Sequence, residues 1–338
     1  MDTKRFGVIG VGGWGSTHVK TYEDHPLVQV QALCDTNENL LQEVGEEYGV
    51  EGLYPDYRVM FEREDLDAVS IVTPDFVHTE IALAAIEAGV DVLIEKPLAT
   101  TLEECDRIGR ALQESNCKFM VDFHNRWNPA MTNFKSSIED GEIGQPQMAY
   151  YRLNDNIFVP TQMLSWAGQS TVLWFLASHC LDTLLWLFED DIDEVYTVTR
   201  SRVLEKRGID TPDFYQSTLQ FSEGATVVLE NCWILPDSHP LIDLKMEIVG
   251  DEGALYFDGR PHLVERFEKD RVKWPDVYVC PEVHGHPEGF AAASIRDFAD
   301  CVIHDLEVPC GWEEGRVVTK LILAMEESAR SGKPVELE

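Results

Sequence analysis

Basic residues are scarce in this chain: 27 Lys and Arg stand against 61 Asp and Glu, a formal net charge of −34 over 338 residues. Nucleic acids and anionic membranes need a basic footprint, so neither is expected as a partner. No apolar run approaches the ~20 residues of a membrane span. The start, Met1-Asp2-Thr3-Lys4-Arg5, leads straight into an apolar strand, with no apolar stretch of the signal-peptide kind. Eight cysteines (34, 105, 117, 180, 232, 280, 301 and 310) form no C-x-x-C pair and read as reduced thiols, which points to the cytoplasm. Metal-ligand spacing is absent as well. His284-Gly285-His286 offers two imidazoles without a third ligand at a recognisable spacing, so no metal is expected. There is no internal repeat and no low-complexity stretch. The acidic excess has two readings, a solvated self-repelling surface or adaptation to a salty cytoplasm in which screening shortens the repulsion.

What is present begins at once. Residues 6–9 read as a short buried strand, followed by glycines at Gly10, Gly12 and Gly15 and then a helix. In a G-x-G-x-x-G turn the first glycine makes the bend and the second lets a pyrophosphate approach the backbone. The third lets the helix pack close to the strand, its unpaired N–H groups aimed at the phosphates. A second apolar run, 28–34, ends in Asp35, twenty residues beyond Gly15, where an acid meets the adenosine ribose of a dinucleotide. That carboxylate accepts ribose hydroxyls and repels a 2′-phosphate, and Thr36-Asn37 supplies no arginine, so NAD is expected over NADP. Strand signals at 68–72, 90–94 and 118–121 alternate with helical ones at 38–48, 77–88 and 101–115. This is the grammar of a doubly wound parallel sheet and sets a first domain at 1–122.

Beyond Asp122 the grammar changes. Helical signals at 129–140 and 172–188 are followed by strand signals at 194–201, 215–221, 225–232, 244–249 and 254–257, then by helices at 290–304 and 313–331. The second domain, 123–338, is expected to be α+β with a largely antiparallel open sheet.

Several stretches carry a resemblance in order: Gly10-x-Gly12-x-x-Gly15-x-x-His18, Thr73-Pro74-Asp75-x-x-His78, Glu95-Lys96-Pro97, Arg126-Trp127-Asn128-Pro129, Ser178-His179-Cys180-Leu181-Asp182 and Glu326-Glu327-Ser328-Ala329-Arg330-Ser331-Gly332. Spanning the chain, they resemble the glucose–fructose oxidoreductase, inositol dehydrogenase and rhizopine-catabolism family, Gfo/Idh/MocA. The resemblance implies a Rossmann domain and an NAD(P)-dependent oxidoreductase acting on a CH–OH group of a sugar, cyclitol or related polyol. It also implies a C-terminal domain that builds homodimers or homotetramers. The cofactor site it implies comprises Gly10, Gly12, Gly13, Trp14, Gly15, Asp35, Thr36, Thr73, Pro74, His78, Glu95 and Lys96. Asp75 stands where the family more often has asparagine.

Hydride transfer from a secondary alcohol needs a proton acceptor and a group that stabilises the developing alkoxide. Lys96, at the C-terminal end of a strand, matches the family lysine beside substrate and nicotinamide, with a cis peptide implied at Pro97. His179 matches the catalytic histidine, and its imidazole suits proton transfer near neutrality. Asp182, Arg126, Asn128 and Asn154 are candidate catalytic-support or substrate-binding residues. One departure stands out. The family aspartate four residues before the histidine is Phe175 here, and Gln169-Ser170-Thr171 replaces the usual upstream glycines. Asn154, Asp155 and Asn156 are candidates to supply the missing polar contact. The rivals to a dehydrogenase are an enzyme that retains NAD and uses it transiently, for isomerisation or elimination, and an NAD-sensing regulator. Intact Lys96 and His179 argue against the regulator.

Overall fold

The computed structural model describes residues 3–259, 264–269 and 272–337. They form two compact units, one of residues up to Trp127 with Tyr278–Thr319, the other of Asn128–Val277 with residues from Lys320 onward.

The first unit is built on six strands: β1 (Lys4–Ile9), β2 (Val28–Cys34), β3 (Gly52–Tyr54), β4 (Ala68–Ile71), β5 (Asp91–Ile94) and β6 (Phe119–Val121). Their order is β3-β2-β1-β4-β5-β6, and every neighbouring pair is parallel. The order reverses between β1 and β4, and beyond the C-terminal ends of strands at such a switch point doubly wound sheets take their ligands. Strands covered on both faces run apolar without alternation, and β4 and β6 are buried at every position. The helices between them are α1 (Gly13–Glu23), α2 (Glu38–Tyr48), α3 (Tyr57–Arg63), α4 (His78–Glu87) and α5 (Leu102–Gln113). The Thr101 hydroxyl caps α5, accepting from Glu104 N–H at 3.2 Å, and donates to the Glu104 carboxylate at 2.9 Å. Gly52-Leu53-Tyr54 and the single turn-pair of α3 are too short to leave a periodic signal.

In the second unit, α6 (Pro129–Glu139) and α7 (Ser178–Phe188) accompany a mixed sheet. Its main strands are β7 (Pro146–Asp155), β8 (Ile192–Arg200), β9 (Phe214–Phe221), β10 (Thr226–Cys232), β11 (Ile242–Gly250) and β12 (Ala254–Asp258). Two short hairpins follow, β13 (Arg266–Phe267) with β14 (Val272–Lys273), and β15 (Glu282–Val283) with β16 (His286–Pro287), the latter pair in the first unit. Helix α8 (Phe290–His304), also in the first unit, and α9 (Trp312–Ser331), which belongs to the second from Lys320, precede a last strand, β17 (Val335–Glu336). The seven-stranded order is β12-β11-β7-β10-β9-β8-β17, antiparallel except between β7 and β10. Burial alternates along β9 and β10, as it does in a sheet with one packed and one open face. The central β7 is hard to see in sequence because adjacent Tyr150 and Tyr151 break that alternation. The closing motif is structural: the Ser328 hydroxyl accepts from Thr197 N–H at 2.9 Å and donates to the Lys333 carbonyl at 2.6 Å.

One expected helix divides. Residues Leu173–Ala177 wind as a π-helical turn, in which Ser178 N–H reaches five residues back to the Leu173 carbonyl, and α7 starts at Ser178. A second π turn spans Val159–Met163. Such wide turns are rare and recur at functional sites.

Candidate active site

In the first unit the three motif glycines do different work. Gly10 has φ +86°, and a Cβ there would lie 2.3 Å from the Val72 carbonyl oxygen at the β1–β4 switch. A Cβ on Gly15 would lie 1.8 Å from the Gly10 carbonyl oxygen, so only glycine lets α1 start this close to the turn. At Gly12 and Gly13 an added Cβ meets nothing within 4 Å. Gly12 is the N-cap of α1, and no side chain caps that end. Open space above uncapped N–H groups is a cradle for an anion. Beside it, the Asp35 carboxylate accepts from Val11 N–H at 2.9 Å and Asn37 N–H at 2.8 Å, which fixes the acid against the glycine turn. Thr36 is exposed just beyond.

The ends of β4 and β5 carry the next group. His78 is fully buried, with Nδ1 2.8 Å from the Pro97 carbonyl oxygen and Nε2 2.9 Å from that of Thr73. It therefore ties the Thr73-Pro74 loop to the Lys96-Pro97 loop. Burial pushes its pKa down, the two carbonyls working against that shift. The Lys96–Pro97 peptide is cis, as the resemblance implies. Lys96 is half-buried. The Thr73 hydroxyl is buried with no partner, the orphan expected where a bound group supplies the hydrogen bond. This orphan and the open cradle fit a dinucleotide.

Glu95 is turned inward. It accepts from Trp14 Nε1–H at 2.6 Å, and its Oε1 lies 3.3 Å from His18 Nε2. Burial works against its charge, but the His18 hydrogen bond and the nearby Lys96 and His124 hold its pKa down, at about 2. Asp122, at the end of β6, is completely buried beside it and accepts from the Ser294 hydroxyl of α8. Burial and the Glu95 charge push Asp122 well above the usual carboxyl range. His124 lies 5.8 Å from the Trp14 ring and 5.4 Å from the Phe290 ring, and burial drives its pKa to about 4. Asp122 and His124 carry no motif; their only signal is that polar residues directly follow a buried strand. Arg126 donates to the Pro309 carbonyl at 3.0 Å.

In the second unit, His179 lies in the first turn of α7 with Asp182 one turn on, both buried. Phe175, in the π turn, meets Trp166 edge-on at 6.1 Å and Trp233 at 5.7 Å. The Trp233 indole donates to Asp155 at 3.2 Å. Asn154 lies on the other face of β7, as its neighbouring position requires. It donates to Glu230 at 2.8 Å, which also takes Gln216 and Tyr150. Asp155, and not Asn154, thus shares the Phe175 environment. Asn128 is fully buried and caps α6, accepting from Ala130 N–H at 2.9 Å. His286 of the His284-Gly285-His286 loop pairs with Asp24 within the first unit.

Comparison with known proteins assigns the class. Residues 4–123 match the model of an oxidoreductase family with an NAD-binding Rossmann fold, and residues 131–256 match the GFO/IDH/MocA C-terminal domain. An inositol 2-dehydrogenase of Salmonella typhimurium is 30% identical over 256 residues, covering 74% of this chain and 73% of its own length. The chain belongs to the Gfo/Idh/MocA oxidoreductase family. A levoglucosan dehydrogenase of Pseudarthrobacter phenanthrenivorans is 29% identical, covering 86% of this chain and 83% of its own. Among solved structures, a levoglucosan dehydrogenase in complex with NADH superposes with a TM-score of 0.84 at 25% identity, covering 100% of both chains.

Proposed function

We propose that this protein is an NAD-dependent dehydrogenase that oxidises a secondary hydroxyl of a sugar, sugar derivative or cyclitol. The uncapped start of α1 over the open space at Gly12 and Gly13 is the observation that carries this reading. Family membership and similarity to inositol and levoglucosan dehydrogenases support the substrate class. Bound NAD supplies a nicotinamide that takes up hydride. Gly12 and Gly13 would admit its pyrophosphate, Asp35 its ribose and the orphan Thr73 hydroxyl a further polar group. Lys96 hydrogen-bonds the reacting oxygen and steadies its developing charge, while His179 takes the hydroxyl proton, with Asp182 one turn away to orient it. Asp155, on the Phe175 side of β7, is better placed than Asn154 to supply the polar contact to substrate hydroxyls.

The test is formation of NADH across aldoses, sugar acids, cyclitols and anhydrosugars, run with NAD and with NADP. One strong NAD-linked signal is the expected outcome; none, with NAD binding intact, would end this reading. Asp35→Ala is expected to cut the preference for NAD over NADP by about a hundredfold.

Two finer points belong to the same reading. Tyr256, Glu247, Tyr150, Val228, Thr218 and Tyr196 stand opposite one another as one row across six strands, and Tyr256, Val228 and Tyr196 are exposed. This row supports a homodimer or homotetramer through the open sheet face, which light scattering of wild type and Val228→Arg would test. Eight free cysteines support a reducing, cytoplasmic setting.

A further inference from the structure

Behind Lys96 lies a closed polar cluster inside the first unit. Tyr22, His18, Ser70, Asp122 and Ser294 have no exposed surface, and Glu95 has only 6%. Tyr22 Oη lies 2.6 Å from Ser70 Oγ, and Ser70 Oγ lies 3.1 Å from His18 Nδ1. His18 Nε2 and the Trp14 indole both meet Glu95 Oε1. The Ser294 hydroxyl donates to Asp122 Oδ1, while Asp122 Oδ2 has no donor facing it. As a carboxylate, that oxygen is an orphan in a dry interior; as an acid, it has a partner in Glu95 next to it.

One arrangement of protons leaves no donor idle. Tyr22 donates to Ser70, Ser70 to His18 Nδ1, and His18 Nε2–H, Trp14 Nε1–H and Asp122 O–H all donate to Glu95. Two buried carboxyl groups in contact cannot both be charged, and here they divide the roles. We propose that Asp122 is a positioning residue: a carboxylic acid whose proton is donated to Glu95, holding Glu95 as the buried anion behind Lys96.

His18, Glu95 and Asp122 are also the grouping among the described residues whose ligand atoms, all within 4.8 Å of one another, could hold a metal ion. The donors already aimed at those atoms favour the shared proton. The groups facing the pair are His18 and Tyr22 from α1, Lys96 beyond β5, His124 beyond β6 and His78 from α4. With Tyr22 held as a phenol by burial, Lys96 is the cation that Glu95 balances.

The effect on Lys96 rests on the dehydrogenase reading, whereas the protonation of Asp122 does not, so the two are measured separately. Difference infrared spectra of wild type and Asp122→Asn at about pH 8, where exposed carboxyl groups are ionised, should contain one carboxylic-acid carbonyl band from the wild type. Asparagine keeps the shape, the donor toward Glu95 and the acceptor for Ser294, so this variant should fold. No acid band, or a band that survives in Asp122→Asn, overturns the proposal. So does a stoichiometric divalent metal in purified wild type that is lost from the variant. In steady-state kinetics, Asp122→Leu removes a hydrogen bond to a charged group. It should lower kcat by about tenfold and move the acid limb of the kcat profile upward, leaving KM for NAD in place. Asp122→Asn should restore most of the loss. An unmoved limb in the leucine variant, or no rescue by asparagine, removes the link to Lys96.

Discussion

The two units handle their chemistry in different ways. In the first, the features that matter are imposed on the backbone. Gly10 and Gly15 sit where any Cβ would strike a carbonyl oxygen, and Gly12 and Gly13 sit where nothing fills the space. In the second, the features are side-chain contacts: Phe175, in the π turn before His179, meets Trp166 and Trp233, and the Trp233 indole donates to Asp155. On the proposed reading, the cofactor's phosphates meet a shape that the backbone dictates, and the substrate meets side chains that other sequences can exchange.

Five changes would break or sharpen that contrast. The largest effect is expected from Lys96→Ala, which should lower kcat by about a thousandfold with NAD affinity retained. Unchanged turnover would remove Lys96 from the chemistry. Next come the glycines. Gly12→Ala should weaken NAD binding by roughly tenfold to a hundredfold through lost N–H bonds to phosphate, with Tm unchanged. Gly15→Ala should instead destabilise the fold by on the order of 3 kcal/mol, because its Cβ meets backbone. Equal losses of Tm in both would erase the distinction between cradle and packing glycines.

Smaller still, Phe175→Asp restores a carboxylate to the helix face. It should raise kcat/KM on cyclitols by about tenfold, while losing about 1 kcal/mol of ring contact with Trp166 and Trp233. A drop in Tm with no change of substrate preference would make Phe175 a packing residue only. The least change is expected from Asp122→Asn, read as stability against pH. Native Asp122 keeps a proton that the unfolded chain surrenders above the ordinary carboxyl value, so this group's contribution is present at low pH and lost as pH rises. Glu95 acts oppositely, losing its contribution as pH falls toward about 2. The variant, with no proton to lose, should match wild type in acid and exceed it increasingly toward neutrality in thermal melts.

The same division explains how much was legible. The parallel sheet, the glycine turn, Asp35 at the end of β2 and the start of α5 near Thr101 follow from periodicity and from residues that few conformations tolerate. Short elements such as β3 left no pattern, and β7 was hidden by paired tyrosines. Within the site, the difficulty was direction. Neighbouring residues on or just past a strand point opposite ways, so Glu95 turns to Trp14 and His18 inside the first unit, and Asn154 turns away from Phe175 where Asp155 does not. That rule was available from the sequence; which member of each pair faced inward was not. Asp122 and His124 lay beyond reach, since only their partners Glu95, Ser294 and Trp14 give them meaning.

The order in which the chain visits its units has a consequence for anyone who would take it apart. Residues 278–319 return to the first unit before the chain goes back, from Lys320, to complete the second. They bring Ser294 to Asp122 and Phe298 to within 6.1 Å of Phe6. A fragment ending at Trp127 would carry every strand of the nucleotide-binding sheet and still lack the helix that seals it. Grafting a new substrate specificity onto this protein therefore calls for exchanging an internal segment together with the C-terminal one, at three seams near residues 127, 277 and 319, and not for joining one domain to the end of another.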